Sequence, residues 1–345
     1  MSKMINKSLH AIIIVLLSIM IVISFVPFNS TSLALDVSSA SIADNYEFVQ
    51  STQSDSEFVK KDVLTGEIEY YNLYNNETLV SIDNETQENS LSYIEKNNGG
   101  FIPEGVSISD SGMILQSIFG SDERTRINPT TSYPHSAVCF IKMTFPDGSV
   151  FRGTAWMYWN NIAITAGHCV YNEECGGWAT SIQVIPGANE TTTNAIVAPF
   201  GSAMAINFWT SQAFINNQDT DYDYGVLVLD SDIGYSTGWF GTHTQGSSLV
   251  GETVTITGYP GEYTRQMWEM SGKIKTNSSY LLRYEIDTTS GQSGSPIYRY
   301  SSTYGYQCLG IHTTGGGSYL IIFFKRNHGT RITSSLYDFF ASFRT

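Results

Sequence analysis

The sequence predicts an all-β fold closed by one C-terminal helix. Short runs rich in β-branched and aromatic residues recur between residues 137 and 311, each bounded by Gly, Pro or Asn signals. Helical 3/4 spacing of apolar residues is confined to the end of the chain. Many short strands at close spacing build a sandwich or a barrel.

The expected strands follow in order. Ala137–Met143 and Ala155–Tyr158 are the first two apolar runs. Ile162–Thr165 alternates and ends in small residues, so it stops at a turn. Ile182–Ile185 is a short run, and Val226–Leu229 is wholly apolar, as a buried strand must be. Val254–Thr257, Tyr284–Ile286, Ile297–Tyr300 and Leu309–Ile311 complete the series. The helix is Ser334–Phe343, with Leu336, Phe339, Phe340 and Phe343 on one face. No internal repeat is visible.

The N-terminal third has a different character. Lys3 and Lys7 precede an apolar run from Ala11 to Val26, which Pro27 ends. Ser32-Leu33-Ala34 offers small residues for cleavage, so residues 1–34 are expected to be a signal peptide and the protein to be secreted. The run is short for a bilayer span, so no stable membrane anchor is expected. Residues 35–116 carry three Lys against fifteen Asp and Glu and are rich in Asn and Ser, so they bury little alone. Tyr70 to Tyr74 form their one strong aromatic cluster. Residues 117–345 carry thirteen Lys and Arg against seventeen acids. The whole chain has net charge −14 and no basic stripe, which excludes nucleic acid as a partner.

Cys139, Cys169, Cys175 and Cys308 permit disulfides after export, in three full pairings. No Cys-x₂-Cys pair is present, so no metal and no cofactor is expected.

Two motifs carry chemistry. Thr-Ala-Gly-His-Cys runs from Thr165 to Cys169, and Gly-Gln-Ser-Gly-Ser-Pro from Gly291 to Pro296. A serine nucleophile needs a base, and the base needs a third group to orient it. Ser293 is the candidate nucleophile and His168 the candidate base. Asp223, just before the Val226–Leu229 strand, is the candidate orienting group, with Asp221 and Asp219 as fallbacks. A calcium loop is the rival reading of Asp219 to Asp223, but its sixth position is Tyr224 where such a loop wants glycine. The glycines flanking Ser293 let backbone N–H groups face a reacting oxygen; Gly291 and Ser293 would supply that oxyanion hole. The order His168, Asp223, Ser293 is that of chymotrypsin-like enzymes.

These residues together resemble the chymotrypsin-like serine proteases, and among them the bacterial glutamyl endopeptidases. Asp223-Tyr-Gly225, Thr257-Gly-Tyr-Pro-Gly261, Ile311-His-Thr313 and Gly329-Thr-Arg-Ile-Thr333 extend the likeness. Ser117 to Arg126 looks like the mature amino terminus of that family. The resemblance implies a double six-stranded antiparallel β-barrel with a C-terminal helix. It also implies cleavage of protein or peptide substrates after Glu, less often Asp. By the same analogy His312, Thr288 and Ser290 would receive the substrate carboxylate, with His312 favoured in its charged form beside an anion. Residues 35–116 become an acidic propeptide that blocks the cleft or assists folding, and 117–345 a protease domain, expected as a monomer. Gln116 precedes the cut, so an activating protease or trimming from Glu104 is implied. A protease of other specificity and a non-catalytic binding module are the alternatives.

Three departures from the family pattern stand out. Gly153 or its neighbours occupy the place of a cysteine that pairs with the one after the histidine, leaving Cys139 or Cys175 as partners for Cys169. Gly315 to Asn327 is longer and more apolar than expected beside a specificity pocket. Gln292 stands where trypsin-like enzymes carry an aspartate that pairs with the freed α-amine on activation, and it cannot make that ion pair.

Overall fold

The computed structural model describes residues 46–53, 56–75, 96–101, 121–193, 195–314 and 326–344. The expected signal peptide 1–34, the expected Ser117 boundary and residues 315–325 of the apolar stretch lie outside the described residues. In chain order residues 35–116 contribute β1 (Tyr46–Gln50), β2 (Phe58–Asp62), β3 (Ile68–Asn75) and β4 (Lys96–Asn97), and β5 (Thr125–Ile127) follows. Then come β6 (Val138–Thr144), β7 (Val150–Met157) and β8 (Ile162–Thr165). A short pair, β9 (Tyr171–Asn172) with β10 (Gly177–Trp178), precedes β11 (Ser181–Pro186). A second pair, β12 (Asn189–Glu190) with β13 (Ile196–Val197), precedes β14 (Ala203–Ser211) and β15 (Gly225–Leu229).

The strands β14, β11, β6, β7, β8 and β15 are neighbours in that order, and β14 pairs back to β15. This closes a six-stranded antiparallel barrel. Its interior is apolar and fully buried, with Ile141, Ala155, Ile164, Ile182, Val184, Phe208 and Val226 among its residues. After β16 (Gly241–Thr244), a second barrel closes through β17 (Thr253–Gly258), β18 (Met267–Asn277), β19 (Leu281–Tyr284), β20 (Pro296–Ser301), β21 (Gly305–Thr314) and β22 (Asn327–Arg331). Val254, Ile256, Ile274, Leu282, Ile297 and Leu309 fill it. This is the double barrel that the resemblance implies.

The C-terminal helix Ser334–Ala341 starts at Thr333, whose side chain accepts the Leu336 N–H and so satisfies one orphan donor. It buries Leu336, Tyr337, Phe339 and Phe340. Phe343 falls just past its end but joins the same cluster.

The described part of residues 35–116, which composition describes as unable to bury much, forms strands. β2 adds to β14 with Val59 opposite Thr210, and β1 and β3 extend the sheet outward. Phe58 stacks on Phe339 with ring centroids 4.0 Å apart, and Phe48 meets Trp209 at 4.7 Å. Further on, β4 pairs with β16, Phe101 stacks on Trp239 at 4.2 Å, and Lys96 reaches Asp338 at 2.6 Å. Phe58 is thus a core residue of a sheet that runs from this segment into the first barrel, with Phe48, Tyr71 and Phe101 packed partly buried against the core.

The cysteines correct the disulfide expectation. All four are free and buried. The thiol of Cys169 faces Gly153, so its partner position is empty rather than taken over by Cys139 or Cys175. A Cβ built on Gly153 lies 3.3 Å from Cys169 Sγ, with Ile141 the neighbour that must shift. Gly153→Cys is therefore expected to form a bridge that closes a loop of roughly 15 residues and adds at most about 3 kcal/mol. Thermal unfolding should rise in oxidising buffer and return to the parent value with reductant; an unchanged midpoint with both thiols still titratable would contradict this.

Candidate active site

His168 is held by the end of β8. Residues Ile162–Thr165 are all buried, Ala166 stays extended, and a 3-10 turn over Gly167–Cys169 follows. Gly225 on β15 pairs with Thr165, which sets Asp223 beside that turn. Asp223 ends its own 3-10 turn, Thr220–Tyr222, started by the Asp219 side chain accepting the Asp221 N–H at 3.0 Å. Asp219 and Asp221 thus shape the turn, and Asp223 alone of the three reaches the histidine.

The Asp223 carboxylate is 2% exposed and holds His168 twice. Oδ1 accepts the backbone N–H at 2.9 Å, and Oδ2 pairs with the ring Nδ1 at 2.8 Å. Gly167 leaves little room for a side chain: an added Cβ would lie 3.1 Å from Asp223 Oδ1 and 3.0 Å from Thr210 Oγ1, so these groups would have to give by a few tenths of an ångström. Burial works against the imidazolium of His168, but the Asp223 carboxylate outweighs it and raises the pKa well above the usual value. The ring is not sealed away, since 35% of the side chain is exposed.

Ser293 lies in a turn of the second barrel. Gly291 and Gly294 on either side have φ of 96° and 88°, a region that favours glycine. Backbone donors alternate along the turn. Gln292 N–H donates to the Thr289 carbonyl at 3.1 Å and Gly294 N–H to the His312 carbonyl at 2.7 Å. The N–H groups of Gly291 and Ser293 donate to no group among the described residues.

Thr154, on β7 of the first barrel, fastens this turn. Its N–H donates to the Ser293 carbonyl at 2.9 Å and its hydroxyl to the Gly291 carbonyl at 2.9 Å. Thr165, three residues before His168, donates to the Thr154 carbonyl at 2.8 Å. A Cβ on Gly294 would lie 3.1 Å from the Ala166 nitrogen. The serine and histidine segments are therefore packed against each other. Ser293 Oγ itself donates to the Thr313 carbonyl at 3.4 Å, and no hydrogen bond joins it to the His168 ring. Catalytic hydrogen bonds of this kind often tighten only once substrate is bound. Sequence reasoning missed Thr154 because an isolated threonine carries no motif.

His312 lies on β21 and is 2% exposed. Its Nδ1 is 2.6 Å from the Tyr284 hydroxyl. Burial keeps that phenol protonated, so it donates to Nδ1 and leaves the ring proton on Nε2. Burial, with smaller repulsion from His328 and His168, pushes the His312 pKa down to about 3. Without a bound anion the ring is thus neutral, whereas the charged form is the one expected beside an anion. Thr288 Oγ1 is buried and has no hydrogen-bond partner. Ser290 is exposed. Among the described residues no three His, Cys, Asp or Glu side chains gather as a metal site.

Residues 153–303, which include His168, Asp223 and Ser293, match the trypsin-like peptidase domain. The chain is 39% identical over 231 residues to a glutamyl endopeptidase of Bacillus licheniformis, covering 65% of this chain and 68% of that one. The chain belongs to the glutamyl endopeptidase family of trypsin-like serine peptidases. A Bacillus subtilis relative bearing the name extracellular metalloprotease is 38% identical, over 64% of this chain and 68% of its own. A solved structure of a Glu endopeptidase in complex with MPD aligns with TM-score 0.55 at 29% identity, covering 64% of this chain and 95% of that one. This family member is a serine endopeptidase with the chymotrypsin-like fold.

The depressed pKa of His312 has a stability consequence in this endopeptidase. Between about 3 and the unfolded value near 6.5, the unfolded chain binds a proton that the folded chain does not. Stability contributed by His312 therefore falls as the pH drops through that window. Denaturant unfolding at pH 7 and pH 4.5 should show a smaller acid loss for His312→Gln than for the parent; equal losses would contradict the buried neutral ring.

Proposed function

We propose that this protein is a secreted endopeptidase that cleaves peptide bonds by acyl transfer through Ser293, His168 and Asp223. The observation that carries the reading is the pair of undirected N–H groups at Gly291 and Ser293, in a turn packed against the histidine segment. Ser293 Oγ attacks the carbonyl carbon of the scissile bond and forms a tetrahedral oxyanion. His168 Nε2 takes the serine proton and later gives it to the leaving amine. Asp223 fixes the tautomer through Nδ1 and stabilises the imidazolium. The two N–H donors hold the oxyanion; one such donor is worth about 10²–10³ in turnover.

Preference for an acidic residue before the cut, Glu and less often Asp by the family resemblance, is supported by chemistry at three positions. A desolvated carboxylate needs donors. Thr288 has an unsatisfied buried hydroxyl, His312 carries its proton on Nε2, and Ser290 adds an exposed hydroxyl. An arriving carboxylate would draw a proton onto His312 and raise its pKa from the depressed value of the free protein.

Residues 1–34 act as the export signal and 35–116 as the propeptide in this reading. Between cleft blockade and folding assistance, the pairing of β2 with β14 and β4 with β16 favours assistance. Among the described residues no hydrogen bond or ring contact joins 46–101 to His168, Ser293 or His312. Removing 46–101 from the expressed chain should lower the yield of active protease, and supplying the segment in trans should restore it; equal yields would refute the role.

Hydrolysis of peptides differing only before the scissile bond tests the activity. Cleavage after Glu is expected, with Ser293→Ala reducing turnover at least about 10⁴-fold at unchanged fold. Cleavage by the alanine variant would overturn the mechanism. Because the base must be neutral, kcat/KM should rise with pH through a midpoint above the ordinary histidine value of about 6.5. Asp223→Asn should lower both that midpoint and the plateau, the plateau by about 10⁴-fold.

A further inference from the structure

Arg124 makes a knot that the reaction scheme above leaves unused. Its side chain is 4% exposed, and all five of its N–H donors have partners. Nε donates to Asp122 Oδ1 at 2.9 Å, and Nη2 to Asp122 Oδ2 at 2.9 Å and Glu262 Oε1 at 2.6 Å. Nη1 donates to Gln292 Oε1 at 2.9 Å and Thr289 Oγ1 at 3.0 Å. Gln292 Oε1 also accepts the Thr289 N–H at 3.0 Å, and Thr289 Oγ1 donates to Glu262 at 2.6 Å. The residues so tied, Thr289 and Gln292, bracket Gly291 and lead directly into Ser293. On the other side β5, which begins at Thr125, is pinned to β18 by the pairs Thr125–Glu269 and Arg126–Trp268.

Charge explains the glutamine. The guanidinium already faces two carboxylates, Asp122 and Glu262, so the cluster carries one net negative charge. An aspartate at 292 would add a second in a nearly dry site, whereas an amide oxygen accepts the same hydrogen bond without it. A neutral residue 292 is what this internal cation calls for.

We propose that Arg124 is a positioning residue for the oxyanion turn. It grips Gln292 from within the folded chain, and thereby holds the N–H groups of Gly291 and Ser293 toward one point. The inference rests on the reading of Gly291 and Ser293 as the oxyanion donors.

The test uses the processed full-length secreted protein and its Arg124→Met, Arg124→Lys and Gln292→Leu variants. The readouts are kcat, KM, affinity for a peptide boronic acid that mimics the tetrahedral adduct, and thermal unfolding. Arg124→Met should lose about 10–100-fold in kcat, with KM changed less than about threefold. Boronate affinity should fall in step with kcat/KM. Lysine should recover little, because one ammonium cannot span Gln292 and both carboxylates. Gln292→Leu should show the same split, and the double variant should lose no more than either single one. A folded Arg124→Met or Arg124→Lys variant with parental kcat and boronate affinity overturns the proposal. Should Arg124→Met fail to fold, Arg124→Lys and Gln292→Leu decide. Labelling of parent Ser293 by a fluorophosphonate separates the two readings. An unlabelled, boronate-insensitive parent defeats the mechanism itself, whereas a labelled parent with an indifferent Arg124→Met defeats only the role of Arg124.

Discussion

Both oxygens of the Asp223 carboxylate face one residue, and much of the molecule is arranged so that they can. A buried carboxylate is costly unless every strong acceptor position is used. Here one oxygen takes the backbone N–H of His168 and the other its ring N–H. The geometry requires β8 to end where β15 begins, which the Gly225–Thr165 pairing provides. It is kept close by glycine at 167, where a Cβ would press on both Asp223 and Thr210. It requires the backbone around 223 to be fixed from outside the turn, which Thr210 does by donating to the Tyr224 carbonyl at 2.7 Å and Thr330 by donating to the Asp223 carbonyl at 3.1 Å. Thr210 belongs to the first barrel and Thr330 to the second, so the aspartate is clamped where the two meet.

The serine turn is clamped the same way and from the same two sources. Thr154 of the first barrel holds the carbonyls of Gly291 and Ser293, while the Arg124 cluster holds the turn from the second-barrel side. Thr154 also accepts from Thr165, which links the serine turn to the strand that carries the histidine. Preorganisation of this kind is what makes fixed dipoles effective, since they need no rearrangement as charge develops. Neither barrel alone contains both halves of the arrangement.

Legibility in the sequence tracked how local each signal is. His168 and Ser293 sit in contiguous motifs, so their segments could be read directly. β8, β15 and β17 were visible because apolar runs or clean alternation survive in them. β14 was not, because a bulge between Ala205 and Asn207 shifts its phase and spoils the alternation. β18 was not, because only Met267 and Ile274 of its eleven residues are buried. β22 reads Asn-His-Gly-Thr-Arg and offers no apolar cue. The strands β1 to β3 were hidden by acidic composition, since their burial depends on β14 and the C-terminal helix far along the chain. Arg124 lies 168 residues from Gln292, and nothing in either neighbourhood announces the other. The neutrality of His312 follows from its depth beside Tyr284, which no spacing reveals.

The four buried thiols give this molecule a built-in reporter. Burial raises the pKa of the Cys139 and Cys308 thiols far above the usual range, so the reactive thiolate is almost absent while the chain stays folded. Cys139 and Cys169 belong to the first barrel and Cys308 to the second. An alkylating reagent added to the native protein would therefore modify each position only as fast as its surroundings open. Mass spectrometry of the modified peptides would then time the breathing of each barrel separately, with no probe introduced and no side chain replaced.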